Sequence, residues 1–172
     1  LNTHVFRYCP RCGQKDLTIA DAKSFLCRSC NFKFYLNPAV AGIALIFNKK
    51  GELLITKRKY SPANGMLDLP GGFADPGETI EECLIREIKE ELNLKIISLE
   101  YFCSAPNTYV YKTVAYSITD FAFICRVDDF DTIKAKDDIS EFYFMELACL
   151  DIKQFGLDSP KIVIDRLRGY HL

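Results

Sequence analysis

The chain has 172 residues, of which 49% are apolar and 26% are charged, and its net charge is −1. These values exclude a disordered tail, a collagen-like repeat and a coiled coil, and they fit a globular protein of one or two domains. No apolar run approaches the roughly 20 residues of a membrane-spanning helix, and the first ten residues lack a secretory signal pattern. We therefore expect a cytoplasmic protein with no membrane partner. Residue 1 is Leu rather than Met, which predicts a trimmed N-terminus.

Charge is distributed unevenly along the chain. Residues 1–36 contain six lysines and arginines against two aspartates, a net charge of +4, which leaves −5 for the rest. Asn37-Pro38 indicates a turn between the two parts. The sequence therefore predicts two domains, at residues 1–36 and residues 39–172. A basic surface over the whole chain is absent, so nucleic acid is not the expected partner, although the basic first unit leaves such a contact open.

Four of the eight cysteines form two close pairs in the first unit. Cys9-Pro-Arg-Cys12 and Cys27-Arg-Ser-Cys30 have the spacing of a tetrahedral zinc site. Gly13 and Asn31 follow the pairs, and both residue types tolerate the left-handed backbone that turns amide groups toward thiolates. We predict one structural Zn²⁺ held by all four thiolates, with two disulfides as the alternative. The remaining cysteines are predicted to be small buried hydrophobes: Cys83, Cys103, Cys125 and Cys149.

The predicted elements alternate between strands and helices. The first two strands flank a turn at residues 48–51 and are expected to pair as a hairpin. One helix is predicted at 80–92, and a second begins with Ser159 as its cap and Pro160 at its first position, and ends near Arg168 before Gly169. Strands are predicted at 39–47, 52–58, 96–103, 109–117, 119–127 and 141–145. This pattern predicts an α+β domain whose helices flank a mixed sheet.

The first helix is defined by its ends and carries a cluster of acids. Thr79 and Glu82 form a capping box, and Asn93 can end the helix in the left-handed conformation. At about 100° per residue, Glu87, Glu90 and Glu91 share an arc of about 100° beside an apolar stripe. Such like charges destabilise a helix. A hard divalent cation would relieve the repulsion, whereas an ordinary solvated acidic face is the alternative.

Two further features bear on the same helix. Arg86 precedes Glu90 by four residues, which is the spacing of an ion pair, and it can also orient a ligand carboxylate. The Gly-rich segment before the helix has no Gly-Lys-Ser/Thr, and the helix start is acidic, so it would repel a bare anion. If the site handles phosphates, it therefore does so through bound cations.

The segment from Gly72 to Leu94 resembles the Nudix box. Gly72, five residues, Glu78, seven residues and Arg86-Glu87-Ile88-Lys89-Glu90-Glu91-Leu92 match its pattern, with Asn93 where the family usually has Gly. The resemblance covers about residues 39–172 and implies an α/β/α sandwich. It implies hydrolysis of a nucleoside diphosphate linked to another moiety. It also implies Mg²⁺ or Mn²⁺ bound by Glu87, Glu90, Glu91 and the carbonyl of Gly71. Many relatives are dimers, so a homodimer is possible.

Additional site residues follow from the same resemblance. Some relatives use a carboxylate from a later loop, for which Glu141 is chosen over Asp137 and Asp138. Arg58, at a strand end, is a candidate for contacting phosphate, although a solvated charge is the alternative. Tyr109 and Tyr111 are candidates for stacking on a base, although alternate strand tyrosines also serve in packing.

The zinc ribbon narrows the resemblance. A four-cysteine ribbon before a Nudix domain is similar to the NADH pyrophosphatases and to zinc-ribbon FAD or ADP-ribose hydrolases. The NADH-type enzymes carry a Trp-containing run where this chain has Ser104-Ala105-Pro106, and the chain has no Trp. The resemblance therefore favours an ADP-ribose or FAD type of substrate over NADH. The alternatives are a nucleotide-sensing or nucleic-acid-binding Nudix protein, and an enzyme that removes caps from RNA 5′ ends.

Overall fold

A computed structural model describes residues 5–170, so residues 1–4 and 171–172 of the two predicted units lie outside the described residues. The described part has nine strands, two α-helices and two 3₁₀ turns, the latter at Leu147–Cys149 and Ile152–Gln154. The strands are β1 (Leu17–Asp21), β2 (Ser24–Cys27), β3 (Lys33–Tyr35), β4 (Ala39–Ile46), β5 (Leu53–Arg58), β6 (Leu67–Asp68), β7 (Ile96–Tyr111), β8 (Val114–Val127) and β9 (Ile139–Met145). The helices are α1 (Ile80–Leu92) and α2 (Asp158–Arg168). Neither helix is long and apolar enough to cross a membrane.

The first sheet is small and contains only strands from the cysteine-rich part. Its order is β1-β2-β3, and both pairs are antiparallel. Phe25 is buried, and the rings of Phe25 and Phe34 lie 5.5 and 5.9 Å from that of Phe6. An aromatic cluster thus supplies the apolar contacts of a unit too small for a larger core.

The other two sheets have the orders β4-β8-β7 and β6-β5-β9. The predicted hairpin of the first two strands is wrong, because β4 runs parallel to β8 while β5 pairs with β6 and β9. Only a single bridge, Phe47 to Leu53, joins β4 to β5. Most residues of β4 are buried on both faces, which suits a strand inside a covered sheet. The turn at 48–51 therefore carries the chain from one sheet to the next.

One long hairpin, β7–β8, replaces three predicted strands. Its turn lies at Lys112 and Thr113, which have φ values of 45° and 76°. The predicted strand 109–117 is therefore wrong, since it spans the turn. Residues 104–108, which lie between two predicted strands, are part of β7. Pro106 does not break the strand because β7 is at the sheet edge, where a missing N–H is tolerated.

The helices cover opposite faces of the sheets, which confirms the α/β/α arrangement. Alternation along β4 divides its side chains between the two layers. Ile43 and Leu45 join the core beneath α2, whereas Ala44 and Ile46 join the core beneath α1. The apolar stripe of α1 is buried at Leu84, Ile88 and Leu92.

The ends of α1 lie where the sequence predicted them, whereas the start of α2 does not. Thr79 and Glu82 form the capping box, and Asn93 ends α1 with φ of 56°. In α2 the N-cap is Leu157, so Ser159 is not the cap but lies buried within the first turn. The N–H groups of that turn have no intrahelical acceptor, so Pro160 is tolerated there.

Candidate active site

A cavity of about 280 Å³ lies between the beginning of β4 and the end of β5. These strands share one bridge near the turn that joins them and do not pair at their other ends. Ala41 and Ile43 of β4, with Thr56 and Arg58 of β5, line the resulting gap. Side chains from α1, the loop before it, β7, β8 and the start of α2 complete the walls.

The loop before α1 is bonded to β4 through its backbone. The N–H groups of Gly42 and Ala44 donate to the carbonyls of Gly72 and Pro70 at 2.9 and 2.8 Å. Gly71 has φ of +144°, and a Cβ built there would lie 2.1 Å from the Gly42 oxygen. Only glycine fits at this position, because the two backbones approach each other so closely.

The acidic arc of α1 faces the cavity at two of its three members. Glu87 and Glu91 line it, whereas the Glu90 side chain is half exposed beside it. A Cβ on Gly72 would lie 2.3 Å from the Glu87 carboxyl carbon. The Gly71 N–H points toward Glu91 Oε2 at 3.4 Å, a long contact. The glycine loop and the helix thus form one joint surface.

Arg86 connects this surface through five hydrogen bonds to oxygen atoms. Its Nε and Nη2 donate to the two carboxylate oxygens of Glu78, both at 2.9 Å, and Nη2 also donates to the Phe73 carbonyl at 3.0 Å. Nη1 donates to Glu87 at 2.8 Å and to Glu90 at 3.2 Å. This fork lowers the pKa of Glu78 to about 2. Arg86 thus makes the predicted ion pair with Glu90 and also bonds to the Glu87 carboxylate.

Burial disfavours the ionised forms of Glu87 and Glu91, the two glutamates in the cavity. It raises the pKa of Glu91 to about 8, and the neighbouring Glu87 charge adds to this rise. Burial also raises the pKa of Glu87, against which Arg86 acts. Two enclosed carboxylates, of which Glu87 bonds to Arg86, are chemically suited to a divalent cation with oxygen ligands.

Of the three residues predicted to contact the substrate, Arg58 and Tyr109 line the cavity and Tyr111 does not. Arg58 Nη1 donates to Asp68 at 2.6 Å and Nε donates to the Pro62 carbonyl at 2.8 Å, which fixes the guanidinium. Its Cζ lies 6.0 Å from the centre of the Tyr109 ring. Tyr111 shares the sheet face of Tyr109 but lies too far along the hairpin, where it is half exposed beneath Lys112.

Of the three later-loop acids, the structure places Asp138 rather than the predicted Glu141 in the cavity. Asp138 lines the cavity, whereas Glu141 and Asp137 do not. Glu141 is the cross-strand neighbour of Lys57 and bonds to its Nζ at 3.2 Å and to the Tyr143 hydroxyl. These two partners lower the pKa of Glu141. Its charge is thus satisfied outside the cavity.

The four paired cysteines form the second candidate site. The sulfur atoms of Cys9, Cys12, Cys27 and Cys30 all lie within 4.8 Å of one another. Cys9 to Cys30 and Cys12 to Cys27 are 3.8 and 3.7 Å apart. A tetrahedral ion with bonds of about 2.3 Å separates its sulfurs by about 3.8 Å, whereas a disulfide requires about 2.05 Å. The arrangement therefore fits a metal site and not the disulfide alternative.

The local backbone also supports a four-thiolate site. Gly13 and Asn31 have φ of 74° and 58°, as predicted. Burial opposes ionisation of Cys9, but N–H groups of the Cys9–Cys12 turn lower its pKa to about 7. Cys83, Cys103 and Cys125 are buried as expected, whereas Cys149 is exposed because it lies in a 3₁₀ turn at the surface.

Sequence reasoning missed several polar residues that line the cavity. Asp68, Asn107, Asp120 and Ser159 are all at least 90% buried. Three of them lie within strands and one within the first turn of a helix. A single polar residue within an apolar strand can indicate a cavity-lining position. The sequence alone, however, does not show which part of a strand face lines a cavity and which part packs in the core.

Comparison with known proteins assigns this arrangement to a family. Residues 36–165 match the NUDIX domain family. The chain belongs to the Nudix hydrolase family. This confirms the resemblance based on the segment from Gly72 to Leu94, and with it the expectation of a Nudix pyrophosphohydrolase.

Two proteins of the Nudix family that are similar to this chain have different named activities. An ADP-ribose pyrophosphatase of Methanocaldococcus jannaschii is 37% identical over 139 residues, which cover 80% of the chain and 78% of that protein. An NAD-capped RNA hydrolase NudC of Chromobacterium violaceum is 28% identical over 164 residues, 95% of the chain but 57% of that protein. The chain thus spans most of the first relative and little more than half of the second.

A solved structure confirms the Nudix fold. A NUDIX hydrolase from Nitrosomonas europaea superposes with a TM-score of 0.67 at 21% identity, covering 94% of this chain and 88% of that one. At this identity the likeness establishes the fold alone.

Proposed function

We propose that the chain hydrolyses the pyrophosphate bond of a nucleoside diphosphate linked to a second moiety, with Mg²⁺ or Mn²⁺ as cofactor. The observation that carries the proposal is the convergence of Glu87, Glu91, Gly71 and Arg58 on one cavity. A solvated acidic face, the alternative for α1, would not bury its carboxylates. Glu91 is 8% exposed.

The residues of this cavity fit a divalent cation. Glu87, Glu91 and the Gly71 carbonyl, with Glu90 beside them, would hold it. When bound, it supplies charge neutralisation for phosphate oxygens and makes a water molecule more acidic. The burial of Glu91 supports this assignment. Burial removes the water that would stabilise the carboxylate charge, and a bound cation would stabilise that charge instead.

The side chains around this centre have distinct proposed roles. Arg86 orients Glu87 and neutralises part of the acidic arc. Arg58, held by Asp68, presents a guanidinium to a phosphate oxygen. Asp138 accepts a proton from the attacking water, since it is the later-loop acid in the cavity. Phe73 and Tyr109 line the same space with ring centroids 5.6 Å apart and offer apolar surface to a base.

ADP-ribose or a related compound such as FAD is the proposed substrate type, in preference to NADH. The 37% identity to an ADP-ribose pyrophosphatase supports this choice. The Ser104-Ala105-Pro106 segment, which replaces the Trp-containing run of NADH-type enzymes, is part of β7.

Hydrolysis of capped RNA is a second candidate, favoured by the relatives named NudC and by the ribbon. Arg11 lies over Phe32 at 6.0 Å, and Lys33 lies over Tyr35 at 5.1 Å. Basic groups beside aromatic rings are common in surfaces that bind single-stranded nucleic acid. A purely sensory role is disfavoured, because Glu87, Glu90 and Glu91 are all retained.

A substrate panel tests the proposal. Initial rates are measured with Mg²⁺ and with Mn²⁺ for ADP-ribose, FAD, NADH, dinucleoside polyphosphates and capped RNA. We expect the highest kcat/KM for ADP-ribose or FAD. A preference for NADH over both would contradict the substrate assignment, and a preference for capped RNA would establish the second candidate. Absence of turnover on every compound would contradict the proposed function.

A further inference from the structure

One wall of the cavity consists of polar side chains that the proposed reaction does not use. Asn107 comes from β7, Asp120 from β8 and Ser159 from the first turn of α2. Ala105 and Ala122, each two residues away along the same strands, belong to the core beneath α2. Alternation therefore places Asn107 and Asp120 on that same sheet face, at the point where the core gives way to the cavity.

Asp120 is a buried acid held in place by an amide. It is 5% exposed, and Oδ2 accepts a hydrogen bond from Asn107 Nδ2 at 2.9 Å. Asn107 Oδ1 accepts from the N–H of Thr108 at 2.9 Å, which fixes the amide with its nitrogen toward Asp120. The described partner of this carboxylate is thus a neutral donor, and burial raises its pKa. A carboxylate in this position gains from further donors.

Ser159, beside Asp120, provides a second indication of a ligand. Its residue is 1% exposed, and Oγ makes no hydrogen bond of ordinary geometry with the described residues. It lies close enough to Asp120 to lower the pKa of that carboxyl. Buried hydroxyls without a partner are uncommon in folded proteins. This one lines the cavity, where a bound molecule can supply the partner.

We propose that Asp120, positioned by Asn107, and Ser159 form a subsite for two adjacent hydroxyls of a sugar ring in the substrate. This inference rests on the proposed function. A carboxylate accepts from two O–H donors, and a serine hydroxyl both donates and accepts, which matches a vicinal diol. The Asp120 carboxylate disfavours a phosphate at this wall, whereas Arg58 and a cation at the glutamates would attract one. The diphosphate therefore belongs at the glutamates and the sugar at the opposite wall.

Sugar analogues in combination with variants test the subsite. The substrates are ADP-ribose, an analogue without the 2′-hydroxyl of the adenosine ribose, and an analogue with deoxyribose as the terminal sugar. We expect wild type to lose about tenfold or more in kcat/KM on one analogue. In Asp120→Asn, kcat/KM should fall by a similar factor on ADP-ribose but change little on that analogue. The ratio of the two kcat/KM values, which is the discrimination, should therefore approach one. The control is Asp165→Asn, an exposed carboxylate of α2, which keeps the wild-type ratio.

Ser159→Ala separates recognition from a structural role. Because Oγ makes no hydrogen bond of ordinary geometry and its effect within the chain is on the Asp120 carboxyl, we expect little change in Tm together with reduced discrimination. This variant also decides the matter if Asp120→Asn does not fold. Equal losses on all three substrates in either folded variant would overturn the subsite, since a structural role does not distinguish hydroxyls. Wild-type discrimination in both variants would also overturn the subsite.

Equilibrium binding separates failure of the subsite from failure of the proposed function. Titration calorimetry with ADP-ribose and the two analogues, in Ca²⁺, measures recognition without turnover. If wild type hydrolyses nothing but binds ADP-ribose about tenfold more tightly than one analogue, and Asp120→Asn does not, the subsite stands and the proposed function fails. Equal affinity for all three, or no binding, overturns the subsite.

Discussion

The Glu87 carboxylate occupies the space that a side chain on Gly72 would require. A Cβ built on Gly72 would lie 2.3 Å from the Glu87 carboxyl carbon and 2.5 Å from its Oε1. The missing side chain at residue 72 is thus a condition for the position of Glu87, which also bonds to Arg86.

Gly72→Ala is expected to lower kcat by at least tenfold, because Glu87 must leave its position while the fold accommodates a flexible side chain. The measurement is kcat on the best substrate beside a thermal melt. Gly169→Ala is the matched control, since a Cβ there meets only the Arg166 oxygen at 3.6 Å, an ordinary contact. Wild-type kcat in Gly72→Ala would contradict the role given to Glu87.

Glu90→Gln and Glu91→Gln are expected to abolish most turnover while the fold survives. The amide keeps the shape of the side chain but removes the charge that binds a cation, and loss of repulsion on α1 leaves folding unharmed or slightly improved. Activity should fall by orders of magnitude. Glu81→Gln, at an exposed position of the same helix, controls for the substitution. Near wild-type turnover in both variants would make the metal assignment wrong.

Stability in the absence of Mg²⁺ and Mn²⁺ is expected to depend on Glu91. Its pKa in the folded protein is raised from 4.5 to about 8, so the folded state holds this proton more tightly than the unfolded state does. The stabilisation is present below about pH 4.5 and is lost as the pH rises toward 8. With zinc kept bound, the wild-type Tm should fall over this range, and that of Glu91→Gln should fall less. Added Mg²⁺ should restore the wild-type Tm at pH 8, and parallel curves for the two proteins would contradict the account.

One zinc ion per chain is expected in protein purified without chelators. The four sulfurs already have the separations of a tetrahedral site, and four thiolates leave no open position, so the ion is structural. Metal analysis of wild type and of Cys30→Ser measures this, with the exposed Cys149→Ser as control. Wild type without metal would refute the site, whereas iron would correct only the identity of the ion.

Asp138→Asn is expected to lower kcat by at least tenfold, because proton transfer by a positioned carboxylate contributes roughly 10²–10⁴-fold. Glu141→Gln should retain most activity, since Glu141 bonds to Lys57 and Tyr143 outside the cavity. Steady-state kinetics on the best substrate compares the two. The reverse order of effects would return the later-loop role to Glu141.

Local features were predictable from the sequence, whereas strand pairing was not. Thr79 and Asn93 mark the ends of α1 through contacts within a few residues, so their residue types suffice. The partner of β4 is more than 70 residues away in β8, and an apolar run does not name its partner. Asp138 and Glu141 differ by three positions, and only the register of β9 against β5 shows which acid lines the cavity.

The backbone bonds between β4 and residues 70–74 also bear on how such a site diversifies in evolution. The Ala74 N–H donates to the Val40 carbonyl, as Gly42 and Ala44 do to the loop. Main-chain bonds of this kind are indifferent to most side-chain changes. Mutations at residues such as Tyr109 or Asp120 can therefore alter which molecule is accepted without moving the loop. An insertion or deletion between Pro70 and Ala74 would instead shift the loop against β4, and both the position of Gly71 and the shape of the cavity would change.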